Sequence, residues 1–300
     1  MFFRLLQGLS AAGGIVLTRS IACDKFKGNE LTSFMSFLMA INSLGPILGP
    51  IIGSLVVTYF TWPVIFFILV GWGLILIYLT KFHVPESLPV DKREKNALVS
   101  ILRMKTDLLN LKFMLTVFSL SFVMGGFFSY LAASPFVFQK VYGFTPIEYS
   151  FTFAFIAICI SIIASSAGRL SRRLSELKVV IIAYVLLLIS GIGVLIISLV
   201  QPESFVPILG CLAIYCAMMG LSQSAGFGVV ISFKKGGAGS ASGIFGVMYF
   251  LIGSLVSPFE GVMGELSMIP FGINLSVCAI LAIVFLYFAV RIKDENNSEA

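Results

Sequence analysis

The chain has 300 residues, of which 58% are hydrophobic and only 11% charged, with a mean hydropathy of +1.04. That balance excludes a water-soluble globular domain, and the net charge of +6 is no nucleic-acid signal, because its meaning depends on which loops carry it. A single histidine, His83, and five cysteines, four of them inside apolar runs, argue against a metal site or a disulfide framework and imply no cofactor.

Apolar runs long enough to cross a bilayer predict about nine spans, near 1–22, 37–59, 62–80, 113–134, 150–168, 179–200, 207–230, 241–263 and 271–290. The expected fold is therefore all-α, a polytopic membrane bundle. The first span starts abruptly, with Arg4 near its mouth, and Leu5–Ile21 is near the lower length limit for crossing. No cleavable signal peptide is visible there. In the second span Gly45, Gly49 and Gly53 recur every fourth residue, so a helix stacks them into a stripe on which a neighbouring helix can approach closely. Pro46 and Pro50 remove donors from the same helix and are expected to bend or loosen it.

The segment 81–112 is the longest polar stretch, with mixed charge from Asp91 to Lys95, and a short surface helix is expected in it. It divides an incomplete three-span bundle (1–80) from a six-span bundle (113–291), with a tail at 292–300. All the basic residues except Arg4 and Lys140 fall in alternate loops or the tail, including Arg19, Lys25 and Lys27 after the first span. By the positive-inside bias that side is cytoplasmic, which puts the N-terminus outside and the C-terminus inside.

Two small-residue patterns occur twice. Gly45-x3-Gly49-Pro50-x2-Gly53 is echoed by Gly253-x3-Ser257-Pro258-x2-Gly261, and Gly8-Leu9-Ser10-x3-Gly14 by Gly220-Leu221-Ser222-x3-Gly226. Both pairs keep the same order and nearly the same offset, as in a parallel repeat of six spans each, a device common in transporters. On that reading the first copy lacks three spans.

These residues resemble the major facilitator superfamily, specifically drug–proton antiporters of the Bcr/CflA (bicyclomycin and chloramphenicol resistance) type. Arg4-x2-Gln7-Gly8 followed by Ala11, Ala12 and Gly14 is similar to that family's fourth-helix motif, and Arg19 to Asp24 to its cytoplasmic exit. Gly45-x3-Gly49-Pro50-x2-Gly53 resembles the fifth-helix antiporter signature, with Ser54 in place of its last glycine. Pro85-Glu86-Ser87, Tyr142–Thr145 and Gly168–Arg173 match later loops, although Arg172 stands where the loop motif has an aspartate. The resemblance covers essentially the whole chain as helices four to twelve of a twelve-helix, partial major-facilitator fold. It implies proton-coupled efflux of small amphiphilic compounds, a multi-pass protein of the cell inner membrane, no nucleic-acid partner and a monomer.

Ionisable groups at membrane depth are functional candidates by default, and only Arg4 and Glu260 qualify. The resemblance assigns Arg4 to proton or substrate coupling; the bland alternatives are an arginine snorkelling to the interface and, for Glu260, a solvated rim carboxylate. Gln7, Asn42, Tyr130, Tyr215, Gln223 and Tyr249 are candidates to line a central cavity, with interhelical hydrogen bonding as the rival role for Asn42 and Gln223. Gly8, Gly45, Gly49, Pro50, Gly53, Gly253, Pro258 and Gly261 form the candidate conformational motif. No paired acids, histidine cluster or nucleophile–base pair suggests an enzyme. The rivals to an efflux antiporter are a non-transporting remnant and a facilitator carrier of another small metabolite.

Overall fold

The computed structural model describes residues 2–84, 86, 105–201, 203–234, 238–261 and 267–292. The order is α1 (Phe2–Lys25), α2 (Gly28–Tyr59), α3 (Pro63–His83), α4 (Leu111–Pro135), α5 (Pro146–Ser165), α6 (Ala167–Leu174), α7 (Glu176–Val200), α8 (Val206–Ser232), α9 (Ala238–Val256) and α10 (Ile269–Arg291). A π-helical turn, Phe136–Val141, extends α4 beyond Pro135, and a 3-10 turn, Ser257–Gly261, extends α9. The surface helix expected within 81–112 and the tail beyond Ile292 lie outside the described residues, apart from the segments flanking the linker.

Among the described residues, seven helical segments are long and apolar enough to cross a membrane: α3, α4, α5 with α6, α7, α8, α9 and α10. The other two expected spans fall on α1 and α2, continuous helices of 24 and 32 residues that are not among those seven. One expected boundary changes here. The helix α2 starts nine residues earlier than its expected span, because the polar stretch Gly28–Ser36 continues the helix past the apolar run. It also runs as one helix through Pro46 and Pro50, each of which removes a backbone donor without ending it.

The compact part is the bundle of α4–α10, and its cohesion rests on close backbone approach. A β-carbon added to Gly272 of α10 would lie 2.5 Å from Leu195 Cα, and one added to Gly191 of α7 would lie 3.3 Å from the Leu275 backbone. Ser119 of α4 donates to the Ala282 carbonyl of α10 at 2.7 Å and, its single proton so used, accepts from the Tyr184 hydroxyl of α7 at 2.8 Å. In lipid, where apolar burial does not drive helices together, such small-residue contacts and interhelical hydrogen bonds supply the cohesion.

Local sequence sets the ends of these helices. Thr145 caps α5 in a full capping box: its Oγ1 accepts from Glu148 N at 3.3 Å, and Glu148 Oε2 accepts from Thr145 N at 2.8 Å. Pro146 sits in the first turn, and Gly143, at φ 70°, makes the turn before it. Asn110 caps α4 by accepting from Phe113 N, and its Nδ2 donates to the Phe233 carbonyl at the end of α8 at 2.6 Å. Asp107 is fully buried and accepts from Ser240 at the start of α9 at 2.8 Å.

The first three helices attach unequally. The helix α2 packs on α5, α6 and α8, α1 packs on α9, and no side chain of α3 is buried. Among the described side chains of α1 and α2 the buried ones are Ala22, Cys23, Leu31, Thr32, Met35 and Ser36, and none of α2 beyond them is buried. At that same end lie Arg169, Arg172 and Arg173 of α6 and Lys178 of α7, so the two parts meet at the basic end. Asn110→Ala should remove both the cap and the tie to α8, at about 1–2 kcal/mol, and lower the melting temperature in detergent by several degrees. An unchanged melting curve would show that the tie is dispensable.

Candidate functional site

Between α1–α2 and the α4–α10 bundle lie two adjoining cavities of about 170 and 260 Å³ that share Arg19, Met39 and Asn42. Met35, Leu38, Met39 and Asn42 recur at helical spacing, so α2 turns one face toward the space. The opposite wall is supplied by Phe127 and Tyr130 of α4, Phe153 and Ile156 of α5, Gln223 and Phe227 of α8, and Phe245 and Tyr249 of α9. Tyr130 stacks on Phe153 with centroids 5.8 Å apart, and Phe245 meets Tyr249 at 5.5 Å. Apolar walls with a few polar groups suit an amphiphilic molecule, and the methionines let the wall repack around different shapes.

Arg19 is the principal departure from the sequence reading, which sorted it with the loops. It lies on α1 within the last two turns, and its guanidinium sits 5.1 Å from the Phe245 ring centre, 5.3 Å from Tyr249 and 5.6 Å from Phe227. All three are within cation–π range. Its Nη1 is buried and has no hydrogen-bond partner among the described residues. Among the described residues, no aspartate or glutamate lines either cavity.

The sequence candidates separate into groups. Asn42, Tyr130, Gln223 and Tyr249 line the cavities. Gln223 also takes the rival role, donating from Nε2 to the Leu120 carbonyl of α4 at 2.8 Å. Tyr215 does not line them: it is fully buried, packs against Gly126, and its hydroxyl donates to the Leu275 carbonyl at 3.3 Å. Its expected cavity role is therefore replaced by a core one. Gln7 is exposed on α1 away from both cavities, and the side chain of Arg4 lies outside the described ones. Glu260, on the 3-10 turn, is half-buried and accepts from Asn274 Nδ2 of α10 at 2.8 Å, so it is more enclosed than a solvated rim carboxylate.

The small-residue motif divides as well. A β-carbon on Gly8, Gly45, Gly49, Gly53 or Gly261 would meet nothing within 4 Å, so among the described residues no helix packs on the α2 stripe. At Gly253, by contrast, an added β-carbon would lie 2.5 Å from the Phe128 ring. Pro258 is exposed on the 3-10 turn, and the side chain of Pro50 is outside the described ones. Sequence reasoning missed Met35, Met39 and Phe153 as well as Arg19. The one available signal was the Met35–Met39–Asn42 spacing, which an apolar helix facing lipid displays equally.

A family model described as Major Facilitator Superfamily matches residues 1–258. An uncharacterized MFS-type transporter, YdgK, of Bacillus subtilis is 30% identical over 298 residues, covering 98% of this chain and 74% of the relative. A bicyclomycin resistance protein homolog of Haemophilus influenzae is 23% identical over 286 residues, covering 95% and 72% of the two chains. The multidrug resistance protein MdtL of Salmonella typhimurium is 26% identical over 293 residues, covering 95% and 70%. The crystal structure of the human organic anion transporter MFSD10 aligns with a TM-score of 0.68 at 17% identity over 92% of this chain and 68% of that one, a likeness of fold.

Gln223→Met keeps the volume but loses the bond to Leu120, which should cost about 1 kcal/mol. Asn42→Leu should leave the melting curve unchanged and alter ligand binding instead. Equal effects of both changes on the two readouts would show that the cavity wall and the core cannot be separated this way.

Proposed function

The chain belongs to the Major Facilitator Superfamily, and from that premise we propose that it exports small amphiphilic compounds in exchange for protons by alternating access, as drug–proton antiporters of the Bcr/CflA type do. The chain is a multi-pass membrane transporter and not an enzyme. The observation that carries the finer reading is a cavity between two parts that are in contact at one end only. At the basic end Thr32 of α2 donates to the Glu176 carboxylate of α7, and a β-carbon on Gly168 of α6 would lie 2.8 Å from Ser33 Cα. Beyond Asn42, α2 leaves that contact, and among the described residues its glycine stripe is unopposed. One seal closed and the other side apart is what a single state of an alternating-access cycle requires.

The positive-inside bias makes the basic end cytoplasmic, in the inner membrane, with the N-terminus outside and the C-terminal tail inside. In this reading the stripe at Gly45, Gly49 and Gly53 receives a partner helix when the outer side closes, and its lack of side chains leaves room for that approach. The names of the bicyclomycin and multidrug resistance relatives support drug efflux. Arg4 and Glu260 are the proposed contributors to proton coupling, Glu260 through its contact with Asn274. The protein acts as a monomer. A facilitator carrier of another small metabolite shares this geometry and differs in its response to protons.

Substrate-induced proton release from purified protein in weak buffer separates the two readings. Release with at least one member of a panel of lipophilic cations, neutral drugs and organic acids supports antiport. Binding without release from any member would replace antiport with uncoupled carriage.

Two variants probe the cycle. Gly49→Val should abolish transport in reconstituted vesicles while leaving membrane insertion intact. Gly168→Val should force Ser33 away and raise maleimide labelling of a Ser36→Cys probe several-fold from the basic side, in a background without native cysteines. Normal transport by the first variant, or unchanged labelling in the second, would remove the stripe or the seal from the mechanism.

A further inference from the structure

We infer that the Arg19 cage makes the cavity selective for amphiphiles bearing an anionic group, a carboxylate or sulfonate on an apolar body. This inference rests on the transport reading above and narrows its substrate class. Three observations converge. Guanidinium is permanently charged, and at Arg19 it is sandwiched by Phe227, Phe245 and Tyr249 at 5.1–5.6 Å from their centres. The rings stabilise the charge and fix its position, and the Tyr249 hydroxyl takes one of its donors, but Nη1 is left buried without a partner among the described residues. Both cavities include Arg19 in their walls, and no acidic side chain among the described residues lines either one.

A planar cation held rigid, with Nη1 still open among the described residues, suits a carboxylate or sulfonate, which it can engage in charge-assisted hydrogen bonds. Asn42, whose side chain lines both cavities, is placed to bond a polar substituent, and the Tyr130–Phe153 stack offers a flat wall for an aromatic body. A lipophilic cation of the same shape would meet an uncompensated like charge between apolar walls, and would be disfavoured. A neutral amphiphile falls between the two.

The test uses the purified full chain in a zwitterionic detergent and three probes of one shape: naphthalene-1-sulfonate, naphthalene-1-sulfonamide and trimethyl(1-naphthylmethyl)ammonium. Calorimetric titration should rank the sulfonate at least about tenfold tighter than the cation, with the sulfonamide between them. Arg19→Gln should reduce that ratio to about threefold or less while retaining sulfonamide binding, and Arg19→Lys should keep the order of preference at weaker sulfonate affinity. Retained sulfonamide binding shows that the cavity is still folded. Sulfonamide binding with no charge preference, or a preference that survives Arg19→Gln, would overturn the anion inference alone. No binding of any probe would count against both this inference and the transport reading.

An anionic lipid headgroup presents the same chemistry, so the titration is repeated with phosphatidylglycerol in the micelles. Sulfonate affinity that persists supports a soluble substrate. Sulfonate affinity abolished by the lipid would assign the anion to the bilayer and overturn the substrate inference.

Discussion

Helices surrounded by lipid gain little by hiding apolar surface from one another, so everything here depends on where backbones can come close enough to touch. The crossing of α7 and α10, with Gly191 on one helix and Gly272 on the other, is such a place. Ser119 adds directional bonds from α4 to the same two helices. Together they make a rigid frame on which α5, α8 and α9 are carried, and those helices with α4 supply the aromatic wall of the cavity. A wall so supported keeps Phe153, Phe227 and Tyr249 in register without any ligand to hold them.

The attachment of α1 and α2 is of another kind. It uses Ser33 against Gly168 and Thr32 against Glu176, with a carboxylate nested over Gly228, where a β-carbon would sit 2.6 Å from both carboxylate oxygens. Leu31 and Met35 are buried in the same contact, so it combines apolar side chains with small residues and a polar bond. The same device, a glycine letting a neighbour come near, serves both the crossing of α7 and α10 and the contact of α2 with α6.

The class of fold and the spans from α4 to α10 were legible because each is an apolar run longer than a bilayer requires. Helix facing was not. Tyr215 and Tyr249 are the same residue type in equally apolar helices, yet one donates to a backbone carbonyl in the core and the other lies under a guanidinium in the cavity. A helix without a polar face carries no phase information, so the choice was made by neighbours distant in sequence. Arg19 was misplaced for a related reason: counting charges near a span end tells how close a residue is to the interface, not which way it points. The stripe at Gly45 and the motif at Gly253 share their composition, and only the second has a ring against it. What fills a groove belongs to the partner helix.

Arg19 also has an electrical consequence. On the anion reading proposed above, an empty carrier would bear the Arg19 charge through reorientation, whereas a carrier holding an organic anion would be neutral there. The membrane potential, worth about 2.3 kcal/mol per elementary charge per 100 mV, then acts on the unloaded step and leaves the loaded one almost untouched. In an interior-negative cell the voltage therefore sets how often the binding site returns to collect cargo.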